Sequence, residues 1–251
     1  MYHRLIATFR RRLMKESFMP SWLSIIVNPF FIIRRGLFVN ISTFAPLAEG
    51  RLLDIGCGRK PYESLFSNVS EYIGIDIQDS GHNHSNSKVD IYYDGKNLPF
   101  DNSSFSNVVS FEVIEHVFDV SSFLDEVNRV LEPNGTFLIS LPFAWDEHEA
   151  PYDFARYTSF GIKDILKKHG FEVRHCIKTT TYFLAIAQMF IAYAYQHLIS
   201  GKNIVARLFI VIFLVFPCNL LSLLFDNIFP KKYDYYCNLV VVAHKADILS
   251  T

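Results

Sequence analysis

Short apolar runs alternate with polar, helix-patterned stretches through the middle of this chain. Residues 51–55, 72–77, 88–93, 107–111 and 136–141 each read as a strand, the last buried on both faces. Between them, 62–66 is a helix-like link, and 120–131 carries the apolar spacing of a helix stopped by Pro133-Asn134-Gly135. A helix over 159–169, capped by Gly170, precedes a sixth strand at 171–177, and 238–244 is the last strand. Strands alternating with helices predict a doubly wound, Rossmann-like α/β domain that binds its ligand at the carboxyl ends of the strands.

The pattern breaks after the sixth strand. No residue from 179 to 201 is formally charged with His197 neutral, and 208–225 is a second, strongly apolar run interrupted by Pro217 and Asn219. Where strands six and seven are neighbours in one sheet, as the family resemblance given below implies, both ends of this insertion return to one sheet edge and a single bilayer crossing is excluded. A hairpin of two spans, a helix pair lying in the interface and a soluble lid all remain open. Gln188, Gln196, His197, Asn219, Arg207 and Asp226 would be costly in lipid, whereas Lys178, Lys202, Lys231 and Lys232 at the ends and turn suit phosphate head groups. The expected organisation is a basic and apolar N-terminal segment (1–47), a core (48–178 with 231–251) and the insertion (179–230).

Composition fits this division. Apolar residues make up 50% of the 251, with 24 Phe and 13 Tyr, more than one soluble core requires. The net charge of -1 lacks the sustained basic surface that nucleic acid needs, so no nucleic-acid partner is expected. Charge is nonetheless uneven: Arg4, Arg10, Arg11, Arg12, Lys15, Arg34 and Arg35 face only Glu16 near the N-terminus. That region makes a poor signal peptide, because Asn28-Pro29 interrupts its apolar stretch. Four scattered cysteines give neither a disulfide framework nor a zinc spacing, so no metal is expected and a cytoplasmic setting is the simpler one.

The chemistry concentrates in L-L-D-I-G-C-G-R-K-P, 52–61. Gly56 and Gly58 follow a strand and let the backbone turn sharply against a ligand. Asp76 ends the next strand, where a carboxylate can accept both ribose hydroxyls of an adenosine. The third glycine of a dinucleotide fingerprint is replaced by Pro61, which weakens a dinucleotide oxidoreductase reading. Asp54 inside the first turn suits a cationic amino-acid end better than a diphosphate.

These residues, with the stretch 52–143 around them, resemble the class I S-adenosylmethionine-dependent methyltransferases of the small-molecule group called methyltransferase type 11. The resemblance implies a seven-stranded sheet whose last strand is antiparallel, with the apolar helical insertion between strands six and seven. It also implies that Asp54, Gly56, Cys57 and Gly58 cradle the methionine part of S-adenosyl-L-methionine, that Asp76 with Ile77 takes the ribose, and that Asp94-Gly95 lies at the adenine. Glu112, in F-E-V-I-E-H-V, falls in the segment lining the transfer site. Lys60 and Ser106 depart from the family pattern, which bears on affinity.

After the fifth strand, H-E-A-P-Y-D-F-A-R-Y-T (148–158) resembles a subgroup associated with surface-polysaccharide or lipid-linked pathways. Arg156 could hold a carboxylate or phosphate, and His148 or Asp153 could take a proton from a hydroxyl; equally, Asp153 and Arg156 at i and i+3 could simply pair. His116 is a further candidate base, or a residue oriented structurally. The expected activity is methyl transfer to a small or lipid- or sugar-linked acceptor, at oxygen, at the inner face of a membrane. The rivals are a cofactor- or lipid-binding relative without catalysis and a dinucleotide oxidoreductase.

Overall fold

The computed structural model describes residues 16–78, 87–199 and 202–246. Arg4, Arg10, Arg11, Arg12 and Lys15, in the expected N-terminal basic helix, lie outside the described residues. The chain divides into two compact units, one of 40–177 with 238–251 and one of 1–39 with 178–237.

The first unit is built on one sheet of order β3-β2-β1-β4-β5-β7-β6. Its strands are β1 (Gly50–Ile55), β2 (Val69–Ile77), β3 (Ile91–Tyr93), β4 (Phe105–Phe111), β5 (Leu131–Pro142), β6 (Phe171–Lys178) and β7 (Asn238–Lys245). β1, β2, β3, β4 and β5 pair in parallel, and β7 runs antiparallel to β5 from Thr136↔His244 to Pro142↔Asn238. Leu52, Leu53, Ile55, Val108 and Val109 are buried, as central parallel strands covered on both faces require. Strand order reverses between β1 and β4, which makes the carboxyl ends of β1, β2 and β4 the place for a ligand.

Two helices flank the sheet in sequence. Val120–Val130 starts on an Asp119 cap whose side chain accepts from the Ser122 amide, and Ser159–Lys168 starts on Thr158, which accepts from Gly161. At 62–66 the expected helix-like link is a single 3-10 turn, Glu63–Leu65. Lys60 sits at φ 50° and Pro61 follows, while β2 begins at Val69 and consumes the remaining linker. Asn134 at φ 61° makes the Pro133-Asn134-Gly135 turn.

The second unit joins the N-terminal segment and the insertion, which the sequence pattern treats as separate segments. α1 (Ser24–Val27) and the start of α2 (Phe31–Phe44) belong to it, with α5 (Tyr182–Ile199), α6 (Ile204–Ile210), a π turn (Val211–Val215) and α7 (Phe216–Asp226); the two flanking helices above are α3 and α4. Phe31, Ile32, Ile191 and Val215 form its core, with Ile25, Leu184, Ala187, Cys218 and Leu223 packed around.

Gln188, Asn219 and Asp226 of the insertion are turned inward, whereas Gln196, His197 and Arg207 are exposed. Gln188 accepts from the Ile33 amide at 3.1 Å and donates to the Pro29 carbonyl at 2.9 Å, satisfying backbone groups that the start of α2 leaves open. Asn219 donates to the Ile25 and Asn28 carbonyls at 3.0 Å each. The Thr181 hydroxyl donates to the buried Asp226. The opposite faces are apolar and exposed, with Val205, Phe209, Phe213, Leu224 and Ile228 among the residues shown to solvent.

Candidate active site

β1 ends at Ile55, and the backbone turns through Gly56 at φ 72° and Gly58 at φ 48°. A Cβ on Gly56 would come within 2.4 Å of a Val113 methyl, so this position tolerates no side chain. A Cβ on Gly58 would meet nothing within 4 Å: the space beside it is open. The Gly58 amide donates to Asp76 Oδ2 at 3.1 Å and the Ile77 amide to Oδ1 at 2.8 Å. Two backbone amides therefore fix the Asp76 carboxylate at the end of β2, beside the open face of the glycine turn.

Beneath that turn lies a polar cluster. Asp54 is buried and accepts from the Tyr72 hydroxyl at 2.6 Å. Burial pushes the Asp54 carboxyl up to about 7, and the Tyr72 hydrogen bond and the Lys60 charge offset only part of that. Lys60 is itself buried, ion-paired to Asp90, whose carboxylate also accepts from the Gly74 amide at 2.7 Å. The substitution of Lys for a small residue late in the first motif thus has a structural partner. Cys57 is buried, and burial pushes its thiol far up, so it packs rather than reacts.

The Asp94 side chain closes a turn, Oδ1 accepting from the Lys96 and Asn97 amides at 2.8 and 2.9 Å, with Gly95 at φ 76°. These amides hold the Asp94 carboxyl below the usual range. Glu112, at the end of β4, takes φ 55°. Its carboxylate accepts from the Ser140 hydroxyl at 2.7 Å and from the Asn238 side-chain amide at 2.6 Å, tying β4 to β5 and β7. A non-glycine residue at that φ is strained and is held by these bonds.

The segments after β4 and β5 meet. His116 and His148 have ring centroids 4.8 Å apart. His116 Nδ1 lies 2.7 Å from the Tyr152 carbonyl, so Nδ1 carries the proton, while Nε2 stands 3.8 Å from Glu115 Oε1 and 3.7 Å from Glu149 Oε1. His148 Nδ1 is 3.2 Å from Asp153 Oδ2, and its backbone amide donates to the same oxygen at 3.0 Å. Arg156 grips both oxygens of Asp153, with Nη2 to Oδ2 at 2.7 Å. The Arg156 hydrogen bonds hold Asp153 far below the usual carboxylate range, which makes it a poor proton acceptor and a good orienter of His148.

His116, His148, Asp153 and Arg156, separate in the sequence, are thus brought together, as are Asp54, Gly56, Gly58 and Asp76. Sequence reasoning left out Tyr72, Asn238 and Glu115. Glu115 is 1% exposed, and burial, with the nearby Glu112 charge adding to it, pushes its carboxyl well up. The spacing E-V-I-E-H was the signal available for Glu115; nothing along the sequence marks Tyr72 or Asn238.

A model of a methyltransferase domain matches residues 32–176, more than half of the chain. The chain belongs to that methyltransferase family. It is 32% identical over 133 residues to a Mycolicibacterium smegmatis protein named "Probable S-adenosylmethionine-dependent methyltransferase", covering 49% of this chain and 52% of that one. It is 34% identical over 116 residues to the ubiquinone biosynthesis O-methyltransferase of Rhodopseudomonas palustris, covering 40% and 43%. The chain therefore spans about half the length, or less, of these relatives. Among solved structures, the [4+2]-cyclase SpnF superimposes with a TM-score of 0.53 at 16% identity, over 85% of this chain and 82% of that one. That likeness shows the fold alone and leaves chemistry to the site.

The site fits S-adenosylmethionine. The open face at Gly58 gives backbone access, Asp76 is fixed where a ribose diol can meet it, and the Asp54–Tyr72 pair lies under the turn as a latent anionic group.

Proposed function

We propose that this methyltransferase moves a methyl group from S-adenosylmethionine to a hydroxyl of a small or lipid- or sugar-linked acceptor, at a membrane face. The observation that carries the reading is the convergence of two sites at one edge of the sheet: the Gly58–Asp76 turn after β1 and β2, and the histidine pair after β4 and β5. Bound S-adenosylmethionine supplies a methyl already activated on a sulfonium, so the chain's task is placement, exclusion of water and removal of one proton.

Asp76, Gly58 and Asp54 hold the cofactor in this reading. His148, aligned by Asp153 and Arg156, is the base that takes the acceptor proton, with His116 beside it. The named O-methyltransferase relative supports oxygen as the methylated atom. Support for the membrane face comes from the insertion. Among the described residues one helix, Val205–Asp226, is long and apolar enough to cross a bilayer, and 17% of its most apolar window is buried, unlike the core helix of a soluble protein. An interfacial helix pair keeps both insertion ends on one side, in accord with the sheet topology.

The test is incubation of purified protein with methyl-tritiated cofactor and a lipid and polysaccharide extract. Label in the extract together with S-adenosylhomocysteine release supports the reading. Cofactor binding without release would leave a binding protein, or a use of the fold like that of the cyclase.

A further inference from the structure

From Glu115, His116 and His148 the geometry points to a divalent-cation site at the carboxyl edge of β4 and β5, suited to a first-row transition ion such as Mn²⁺ or Zn²⁺. One ligating atom from each of the three lies within 4.8 Å of the others. Two ligands on one cation at about 2.1 Å stand about 3.0 to 3.4 Å apart, so the 3.8 Å between His116 Nε2 and Glu115 Oε1 needs a contraction of about 0.4 to 0.8 Å, and a pair as wide as 4.8 Å one of more than about an ångström, which side-chain rotation must supply.

A second observation is independent of spacing. Glu115 is 1% exposed, yet neither carboxylate oxygen hydrogen-bonds to another residue, and the buried His116 Nε2 also lacks a hydrogen-bond partner. Buried polar atoms are normally satisfied, and three such atoms from one turn point to an occupant. A cation satisfies a carboxylate and an imidazole lone pair together.

The surrounding groups match a metal site as well. Metal-binding histidines donate their second ring nitrogen to a carbonyl or carboxylate, which fixes the tautomer. His116 Nδ1 does so to the Tyr152 carbonyl at 2.7 Å, and His148 Nδ1 stands 3.2 Å from Asp153, itself anchored by Arg156. In His116 this leaves the Nε2 lone pair to the cation. Two imidazoles and a carboxylate favour a transition ion over Mg²⁺ or Ca²⁺, which prefer all-oxygen shells. Glu149, with Oε1 3.7 Å from His116 Nε2, stands at the rim as a fourth oxygen donor. The set was invisible along the chain because its ligands come from two loops and lack any cysteine spacing.

Three protein ligands leave coordination positions open. With the cation bound, His148 serves as a ligand and not as the base, and on the acceptor reading above an acceptor oxygen in an open position would release its proton to water more readily. Cation binding itself does not depend on that reading, and the experiment reads it without methyl transfer.

Chelator-treated full chain is dialysed against Mn²⁺ or Zn²⁺, desalted, and assayed for metal by mass spectrometry, with Co²⁺ absorption reporting nitrogen and oxygen ligation. One cation per chain is expected. Glu115→Gln and His148→Ala should each weaken binding at least tenfold, with S-adenosylhomocysteine affinity retained as the check on folding, and His175→Ala should change nothing. No retained cation, or retention insensitive to both Glu115→Gln and His148→Ala, overturns the site. Equal loss with His175→Ala overturns it too, by showing adventitious histidine binding.

Discussion

The Tyr72 hydroxyl donates to Asp54 at 2.6 Å beneath the glycine turn, and this one bond holds a carboxyl that burial has pushed up to about 7. Asp54 should therefore cost stability at neutral pH. Below about 4 the carboxyl is protonated in both folded and unfolded chains. As pH rises from 4 to 7 the unfolded chain releases the proton while the folded chain retains it, so stability falls, by up to a few kcal/mol at about 1.4 kcal/mol per unit. Above 7 the loss is constant. Asp54→Asn keeps the shape and an acceptor for Tyr72, and should raise Tm at pH 8 while leaving it little changed near pH 4. An unchanged Tm at pH 8 would show Asp54 to be unstrained.

The same carboxyl should make cofactor binding pH-dependent. A cationic amino-acid end prefers the ionised Asp54, so binding below pH 7 must first release its proton. Affinity for S-adenosylhomocysteine, measured by calorimetry between pH 5.5 and 8, should weaken towards tenfold per unit below about 7 and level off above it. In Asp54→Asn the profile should be flat and the affinity low throughout. A sloping profile in the variant would move the titrating group elsewhere.

Asp76 is held by the Gly58 and Ile77 amides, which do not require its carboxylate for the sheet to form. Asp76→Ala should leave the fold intact and remove charge-assisted bonds worth roughly 1.5 to 3 kcal/mol, or about ten- to a hundredfold in cofactor affinity. Wild-type affinity in that variant would take Asp76 out of the site.

Asp153 joins Arg156 to His148, so Asp153→Asn should lower turnover through misorientation of the His148 ring. Cofactor affinity should be unchanged, because the segment follows β5 whereas the residues proposed to hold the cofactor follow β1 and β2. Loss of cofactor affinity with unchanged turnover would assign the segment to the opposite part of the site.

The sheet was legible because parallel strands buried on both faces write themselves as apolar runs, as at 51–55 and 136–141, and because Asp54, Gly56, Gly58 and Asp76 sit at spacings that backbone geometry enforces. The helix-like link at 62–66 is a single 3-10 turn between Tyr62 and Phe66, because Lys60 at positive φ and Pro61 leave room for one turn. Residues that act through distant partners left no trace in the pattern: Tyr72 reaches Asp54 across two strands, and Asn238 reaches Glu112 from the far end of the chain. The polar residues of the insertion were visible in the sequence. What sequence could not supply is that Gln188 and Asn219 spend their hydrogen bonds on the segment around α1 and α2, which leaves Gln196, His197 and Arg207 as the exposed polar residues of the insertion.

That inward turn decides how membrane attachment should be tested. Replacing 179–230 by a short loop would strip Phe31 and Ile32 of Ile191 and Val215 and so disrupt the core of the second unit. Substitution on the exposed face avoids this, because Phe209 and Phe213 are 62% and 65% exposed and Leu224 53%. The full-length protein should pellet with anionic lipid vesicles and stay bound in high salt, because apolar insertion is not screened whereas attraction between basic residues and head groups is. Phe209→Ser, Phe213→Ser and Leu224→Gln combined remove about three large apolar contacts, each worth roughly 1.5 to 3 kcal/mol when fully buried, and should release the protein at any salt concentration without lowering Tm. If the wild type is monomeric and soluble without detergent and ignores vesicles, the exposed face is not a membrane surface, and the insertion is better assigned to a lid.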